Sequence, residues 1–186
     1  KLFLAVVLAI TTGISPIYSQ KTISDIKPTI ILISLDGFRY DYLDKHKPPA
    51  LMKMAANGVR AKWMKPAFPT KTYPNHYTVV TGLYPQNHGI VENNVYDFGE
   101  VLTLSKRREI EKARWWGGEP IWVTAEKQGQ RSANYFWPGS EAPIGGKMPS
   151  SYRLYNSYYP NSYVVDQLLG SLDAPVNVRP TILTLY

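Results

Sequence analysis

The chain has 186 residues, 44% hydrophobic and 13% aromatic, enough to bury a sizeable core in one domain or part of a larger one and too much for a disordered tail. Its formal net charge of +7 favours anionic ligands, but Lys and Arg are scattered and the densest run, Lys106 to Glu109, also carries an acid; it reads as a solvated face, and no specific nucleic-acid binding is expected. With no cysteine, disulfides and thiolate-held zinc are excluded, so a transition metal would have to be held by carboxylate, imidazole or hydroxyl groups.

In chain order, the text opens with KLFLAVVLAI and continues with the small and polar TTGISPIYSQ. One lysine, an apolar run too short to cross a bilayer, then small residues is the order of a secretory signal, read here over residues 1–19 with cleavage near Ser19. Residues 20–186 would remain after such cleavage, and no membrane span is expected beyond the signal segment. The protein is expected to be exported, either periplasmic or secreted. Its lack of cysteine fits a bacterial source better than a disulfide-rich animal ectodomain.

PTIILISL (Pro28 to Leu35) is a continuous β-branched run and predicts a strand buried on both faces. PPALMKMAANG (Pro48 to Gly58) predicts a helix with proline in its first turn and glycine as its stop. Val59 to Met64 alternates like a strand, and FPTKTYPN leads into a helix over PNHYTVVTG. Glu119 to Gly129 and Asn161 to Leu172 read as helices, Arg131 to Trp137 as extended, and RPTILTLY (Arg179 to Tyr186) as another buried strand. This alternation predicts an α/β fold, a mostly parallel sheet with helices on both faces. No internal repeat is present, and Pro138 to Pro160, rich in Gly, Pro, Ser and Tyr, reads as a long insertion.

Ligands of open α/β sheets bind beyond the carboxyl ends of the strands, so the residues that follow the apolar runs are the ones to examine. Asp36 comes directly after the first run and before Gly37. It could hold a divalent metal at the sheet rim, or it could cap a turn. Asp41 and Asp44 lie in more polar text and read as solvent-facing or helix-capping.

Thr72 stands just before Tyr73 and Pro74 and is placed at the N-cap of the following helix. A cap would satisfy a free backbone N–H. A reactive hydroxyl would use the same place, because a helix N-terminus favours phosphate and alkoxide charge, though threonine needs metal coordination to become a nucleophile. Asn93, in GIVENNVYD, could donate to a phosphoryl oxygen or form a turn. His76 and His88 have no HxH or HxxxH partner, and with His46 they are the only histidines, so both read as structural.

IILISLDGFRYDYL, AFPTKTYPNHYTVVTGLYPQNHGIVEN and YFWPGSE together closely resemble the nucleotide pyrophosphatase/phosphodiesterase family of the alkaline phosphatase superfamily, over about Lys27 to Tyr186. The resemblance implies an alkaline phosphatase-like fold and two Zn2+ ions. Asp36 looks like a zinc ligand and Thr72 like the nucleophile that also contacts that zinc. Asn93 resembles the asparagine that holds a non-bridging phosphoryl oxygen. Tyr73 corresponds to the aromatic residue set against the nucleobase, and Tyr155, in YRLYN, to its opposite face. His76 and His88 match positions that are not ligands. The implied chemistry is in-line attack of Thr72 on phosphorus, a phosphothreonine intermediate and its hydrolysis.

The family's other ligands, an Asp and a His in a PDxxGH-type segment, an Asp-His pair and a more distant His, are expected downstream of Tyr186. Residues 20–186 are therefore expected to be the N-terminal part of a phosphodiesterase catalytic domain, truncated on its C-terminal side, inactive alone and unable to assemble the two-zinc site. The resemblance points to nucleotide phosphodiesters or pyrophosphates as substrates. A choline-type lipid phosphodiesterase or a phosphomonoesterase remains open within the superfamily, and a non-catalytic binding protein outside it. A sulfatase is disfavoured, because threonine stands where a Cys or Ser precursor of formylglycine would be needed.

Overall fold

A computed structural model describes residues 28–97, 99–103 and 106–186. The signal segment read over residues 1–19 lies outside these residues. The elements are β1 (Ile30–Ile33), α1 (Tyr42–His46), α2 (Pro49–Asn57), α3 (Thr72–Thr81), α4 (Pro85–His88), β2 (Val95–Asp97), β3 (Glu100–Leu102), α5 (Arg107–Ile110), α6 (Ile121–Lys127), β4 (Ser132–Tyr135), β5 (Ser151–Arg153), α7 (Asn161–Leu172) and β6 (Ile182–Leu185).

The main sheet has the order β1-β6-β4-β5, and each neighbouring pair is parallel. β2 and β3 form a separate antiparallel pair. Side-chain alternation divides the two faces of the central strands. Ala133, Tyr135, Leu183 and Leu185 pack with Val164 and Leu168 of α7. The intervening Ser132, Asn134 and Thr184 are fully buried on the opposite face, where Thr184 Oγ1 donates to Asn134 Oδ1 at 3.0 Å.

On that side, Tyr77 and Val80 of α3 and Trp122 and Val123 of α6 pack with Trp115, Trp116 and Trp137, and with Leu32 of β1 at the edge. Each such fully buried large side chain contributes on the order of 1.5–3 kcal/mol relative to its exposed state. Helices cover both faces, as the alternating sequence predicts. α2 and α7 match the predicted bounds to within a residue, since Pro48 and Gly58 flank α2 as its two caps.

Four expectations are corrected. β1 is a strand, but Ile30 and Ile33 are 58% and 55% exposed, because among the described residues β1 lies at the sheet edge with β6 as its one strand neighbour. Val59 to Met64 pairs with no strand among the described residues. Alternation specifies a strand only where a partner is available, and here Trp63 and Met64 are exposed and the Lys62 ammonium lies 4.8 Å over the Trp63 ring.

Pro138 to Pro160 is not an insertion. It supplies edge strand β5, and Ser140, Glu141, Ala142 and Ile144 are buried. Gly139 opens this stretch at φ +89, where a Cβ would lie 2.9 Å from the Trp116 ring; only glycine fits that approach. Finally, Thr72 is the first residue of α3 and Lys71 is its N-cap, with extended backbone and no side-chain cap bond.

Candidate active site

The apolar run of β1 ends at Ser34, whose N–H donates to the Leu185 carbonyl at 2.8 Å and carries the pairing with β6 past the strand itself. A tight turn follows, closed by Phe38 N–H on the Leu35 carbonyl at 3.2 Å, with Gly37 at φ 70. The left-handed backbone needed there is why glycine follows the acid. Asp36 is thus set at the carboxyl rim of the sheet, next to Tyr186 at the end of β6 and Phe136 at the end of β4.

Asn75 fastens the loop that delivers Thr72. Its Oδ1 accepts from Ala67 N–H at 2.7 Å, and its Nδ2 donates to the Pro69 and Lys71 carbonyls at 3.0 Å each. Thr72 Oγ1 then donates to Asp36 Oδ2 at 3.1 Å, and the Tyr186 hydroxyl donates to the same oxygen at 3.0 Å. Two residues 36 positions apart therefore meet as an acid and a hydroxyl, as sequence reasoning paired them.

Asn93 caps α3 from a distance. Its Oδ1 accepts from Tyr73 N–H at 2.9 Å, an orphan donor of the helix's first turn. Since the side-chain oxygen is taken, the amide Nδ2 is the group that can donate to a ligand. Pro74 has no N–H, so anion binding at this helix end rests on the Thr72 N–H and Asn93 Nδ2, a narrower set than a bare helix N-terminus.

Thr72, Tyr73, Asn93, Phe136, Pro138, Glu141, Tyr155 and Tyr186 line a small open cleft. The structure thus gathers Thr72, Asp36, Asn93, Tyr73 and Tyr155 in one place. The two tyrosines are not equivalent. Tyr73 is only 4% exposed and leans on Trp116 with ring centroids 6.0 Å apart, so most of its ring belongs to the core. Tyr155 is 43% exposed and stands edge-on to Phe136 at 5.5 Å, free to cover a flat ligand.

The electrostatics follow from burial. The Tyr73 phenol is pushed far above its ordinary range, first by desolvation and then by the nearby Glu141 charge. The Tyr186 phenol is raised by burial and by donating to Asp36. His88 is fully buried; its Nδ1 accepts from Ile90 N–H at 3.1 Å, its Nε2 lies 3.0 Å from Thr78 Oγ1, and burial lowers its pKa. Nδ1 is therefore unprotonated and His88 is neutral, which matches its structural reading. Asp44 pairs bidentately with Arg60 and Asp41 with Arg39, so neither acid reaches the cleft.

Glu141 is the acid that sequence reasoning passed over. It is 7% exposed in the cleft wall, and burial pushes its carboxyl up to about 7. The available signal was its isolation as one carboxyl in the aromatic and apolar stretch YFWPGSEAP. Because the folded carboxyl holds its proton more tightly than the unfolded one, stability falls as pH rises from about 4.5 to about 7 and then levels. Glu141→Gln is expected to remove that fall, by about 3 kcal/mol, so thermal midpoints of variant and wild type should diverge at pH 8 and approach each other at pH 5.

Phe136 was also missed. It holds φ 62, a left-handed conformation that costs an aromatic residue on the order of 1–3 kcal/mol, and it carries the ring against which Tyr155 stands. Nothing in the sequence marks that backbone angle.

As a metal centre the donor set is partial. Asp36 Oδ2 and Thr72 Oγ1 are oxygen donors of the right kind for zinc, and they converge. Among the described residues no group of three His, Cys, Asp or Glu side chains gathers to complete four ligands.

Residues 30–186 match the family described as type I phosphodiesterase / nucleotide pyrophosphatase. The chain belongs to that family. Among curated relatives, ectonucleotide pyrophosphatase/phosphodiesterase family member 3 of Bos taurus is 44% identical over 162 residues, covering 86% of this chain and 18% of that protein. The venom phosphodiesterase of Macrovipera lebetinus is 46% identical over 160 residues, covering 84% and 19%.

A solved structure of murine ectonucleotide pyrophosphatase / phosphodiesterase 5, an inactive threonine-to-alanine form in complex with AMP, superposes with a TM-score of 0.79 at 33% identity, covering 86% of this chain and 43% of that one. The chain thus spans about a fifth of the length of the curated relatives it matches. These relatives are vertebrate proteins, and the bacterial source expected from the missing cysteines draws no support from them.

Proposed function

We propose that the protein of which this phosphodiesterase-family chain is a part hydrolyses phosphodiester or pyrophosphate bonds of nucleotides, with Thr72 as nucleophile. The observation that carries this reading is the Thr72 Oγ1 to Asp36 Oδ2 bond of 3.1 Å at the mouth of an aromatic cleft. The hydroxyl hydrogen is held toward Asp36, which turns an oxygen lone pair to the cleft, where a phosphorus atom can be met in line. The Oγ1–P bond forms, the hydroxyl proton passing toward Asp36 Oδ2, as the bond from phosphorus to the leaving oxygen breaks, and water later cleaves the phosphothreonine and returns the hydroxyl. Asn93 Nδ2 donates to a non-bridging oxygen as charge develops there.

Asp36 and Thr72 would hold one of the two zinc ions that family membership implies, and bound zinc would lower the hydroxyl pKa and offset phosphoryl charge. Further ligands would come from the longer protein. The inactivity of the threonine-to-alanine form of the murine relative, and its AMP, support both the nucleophile and the nucleotide. Tyr155 and Phe136 offer stacking to a base, worth about 1–3 kcal/mol. Export, with residues 1–19 removed as a signal, is part of the same proposal, supported by relatives named as venom and ecto-enzymes.

The test is hydrolysis of bis-p-nitrophenyl phosphate, p-nitrophenyl thymidine monophosphate and a choline phosphodiester by the full-length protein, before and after chelation and with zinc restored. The thymidine ester should be cleaved fastest, with activity lost on chelation and recovered with zinc. Preference for the choline diester would move the substrate to lipids. Cleavage of none of the three would leave a binding protein.

A further inference from the structure

We infer that His76 is a positioning residue for the Thr72 nucleophile, clamping the first turn of α3 to the end of β1 so that Thr72 and Asp36 keep one register. The inference rests on the nucleophile reading above. His76 lies one helical turn after Thr72, and its Nδ1 is 2.7 Å from the Thr72 carbonyl oxygen. A carbonyl can only accept, so Nδ1 carries a proton. In the neutral ring Nε2 is then the acceptor, and Ser34 Oγ, 2.7 Å away, donates to it.

Ser34 stands two residues before Asp36. The imidazole therefore bridges the residue that carries the nucleophile and the strand that carries its carboxylate partner. The ring is packed on both sides. It is buried edge-on between Trp137, at 5.3 Å, and Tyr186, at 4.7 Å, and the Trp137 Nε1–H holds the His76 carbonyl at 3.2 Å. Tyr186 closes the circuit by donating to Asp36. His76 does not line the cleft at Thr72. It acts through the position of Thr72 Oγ1, and misplacement by about 1 Å at a reacting atom can cost about a hundredfold in rate.

Kinetics of the full-length protein on p-nitrophenyl thymidine monophosphate test this. His76→Leu is expected to lower kcat by roughly 10- to 100-fold with KM within about twofold. His76→Asn should recover part of the loss, because an asparagine four residues on can donate to the same carbonyl, as Asn57 does to Lys53 at 2.8 Å and Asn75 to Lys71 at 3.0 Å. Ser34→Ala, a small change at a half-buried position, should lower kcat several-fold. Ser34→Thr should restore it. The Ser34→Ala/His76→Leu double variant should be no slower than His76→Leu alone, since both remove one bridge.

Multiplying losses in the double variant, a failed rescue by Ser34→Thr, or wild-type kcat in both His76→Leu and Ser34→Ala would overturn the inference. Thr72→Ala separates it from the reading beneath. If that variant is inactive while the His76 and Ser34 variants match wild type, the clamp falls and the nucleophile stands; if Thr72→Ala is active, the nucleophile reading falls on its own.

Discussion

Thr72→Ala in the full-length protein is expected to lower kcat/KM for bis-p-nitrophenyl phosphate by at least about a thousandfold, equivalent to about 4 kcal/mol of transition-state stabilisation. The size follows from the lack of a substitute. The other hydroxyl on Asp36 belongs to Tyr186, and burial and its own bond to that carboxylate raise its pKa, making its phenolate harder to form. Tyr73 is further removed from ionisation by burial and by Glu141. Thr72→Ser keeps the oxygen and should retain a measurable fraction of the activity, while Thr72→Val, equal in shape and lacking the hydroxyl, should behave as the alanine variant does. Near-wild-type diesterase activity in Thr72→Ala would show that the nucleophile lies elsewhere.

The largest effect on stability is expected at Trp137. Its ring is fully buried in the cluster beneath α3, stands edge-on to His76 and donates to the His76 carbonyl. Trp137→Ala should cost about 3–5 kcal/mol, the transfer free energy of the indole plus the cavity left behind, out of a total stability on the order of 5–15 kcal/mol. Trp137→Phe keeps most of the ring and leaves the carbonyl without its partner, so about 1 kcal/mol is expected. Denaturant unfolding followed by near-ultraviolet circular dichroism would rank the two. A midpoint for Trp137→Ala equal to wild type would mean that the cluster closes over the gap.

Trp137→Ala also removes one wall of the slot that holds His76. Its activity loss at temperatures where it remains folded should therefore resemble that of His76→Leu more than that of a cleft variant such as Tyr155→Ala, which would be read in KM.

Much of the architecture was legible along the chain because it is periodic. Continuous β-branched runs at β1 and β6, and helical spacing with Pro and Gly at the ends in α2 and α7, are local signals that need no knowledge of neighbours. Asp36 was legible for a similar reason, as an acid followed by glycine at the end of an apolar strand, which is a rim position in any parallel sheet. Thr72, Tyr73 and Asn93 sit in a long distinctive text, and the fold brings all three to one cleft.

The remaining features depend on pairs distant in sequence. Whether β1 is buried, and whether Val59 to Met64 pairs at all, is set by which strands lie alongside, information carried by other segments. The cap of α3 comes from Asn93 rather than from the helix's own start, because a backbone N–H takes the nearest acceptor in space. Glu141 and Phe136 owe their character to burial and to a backbone angle, neither of which is a property of residue type.

His76 shows the division most clearly. Alone in the sequence it read as structural, since an isolated histidine lacks the spacing of a ligand set. Its place between Ser34 and the Thr72 carbonyl exists only once β1 and α3 have packed, because a side chain with two distinct nitrogens can join two elements only where the fold has set both within hydrogen-bond reach.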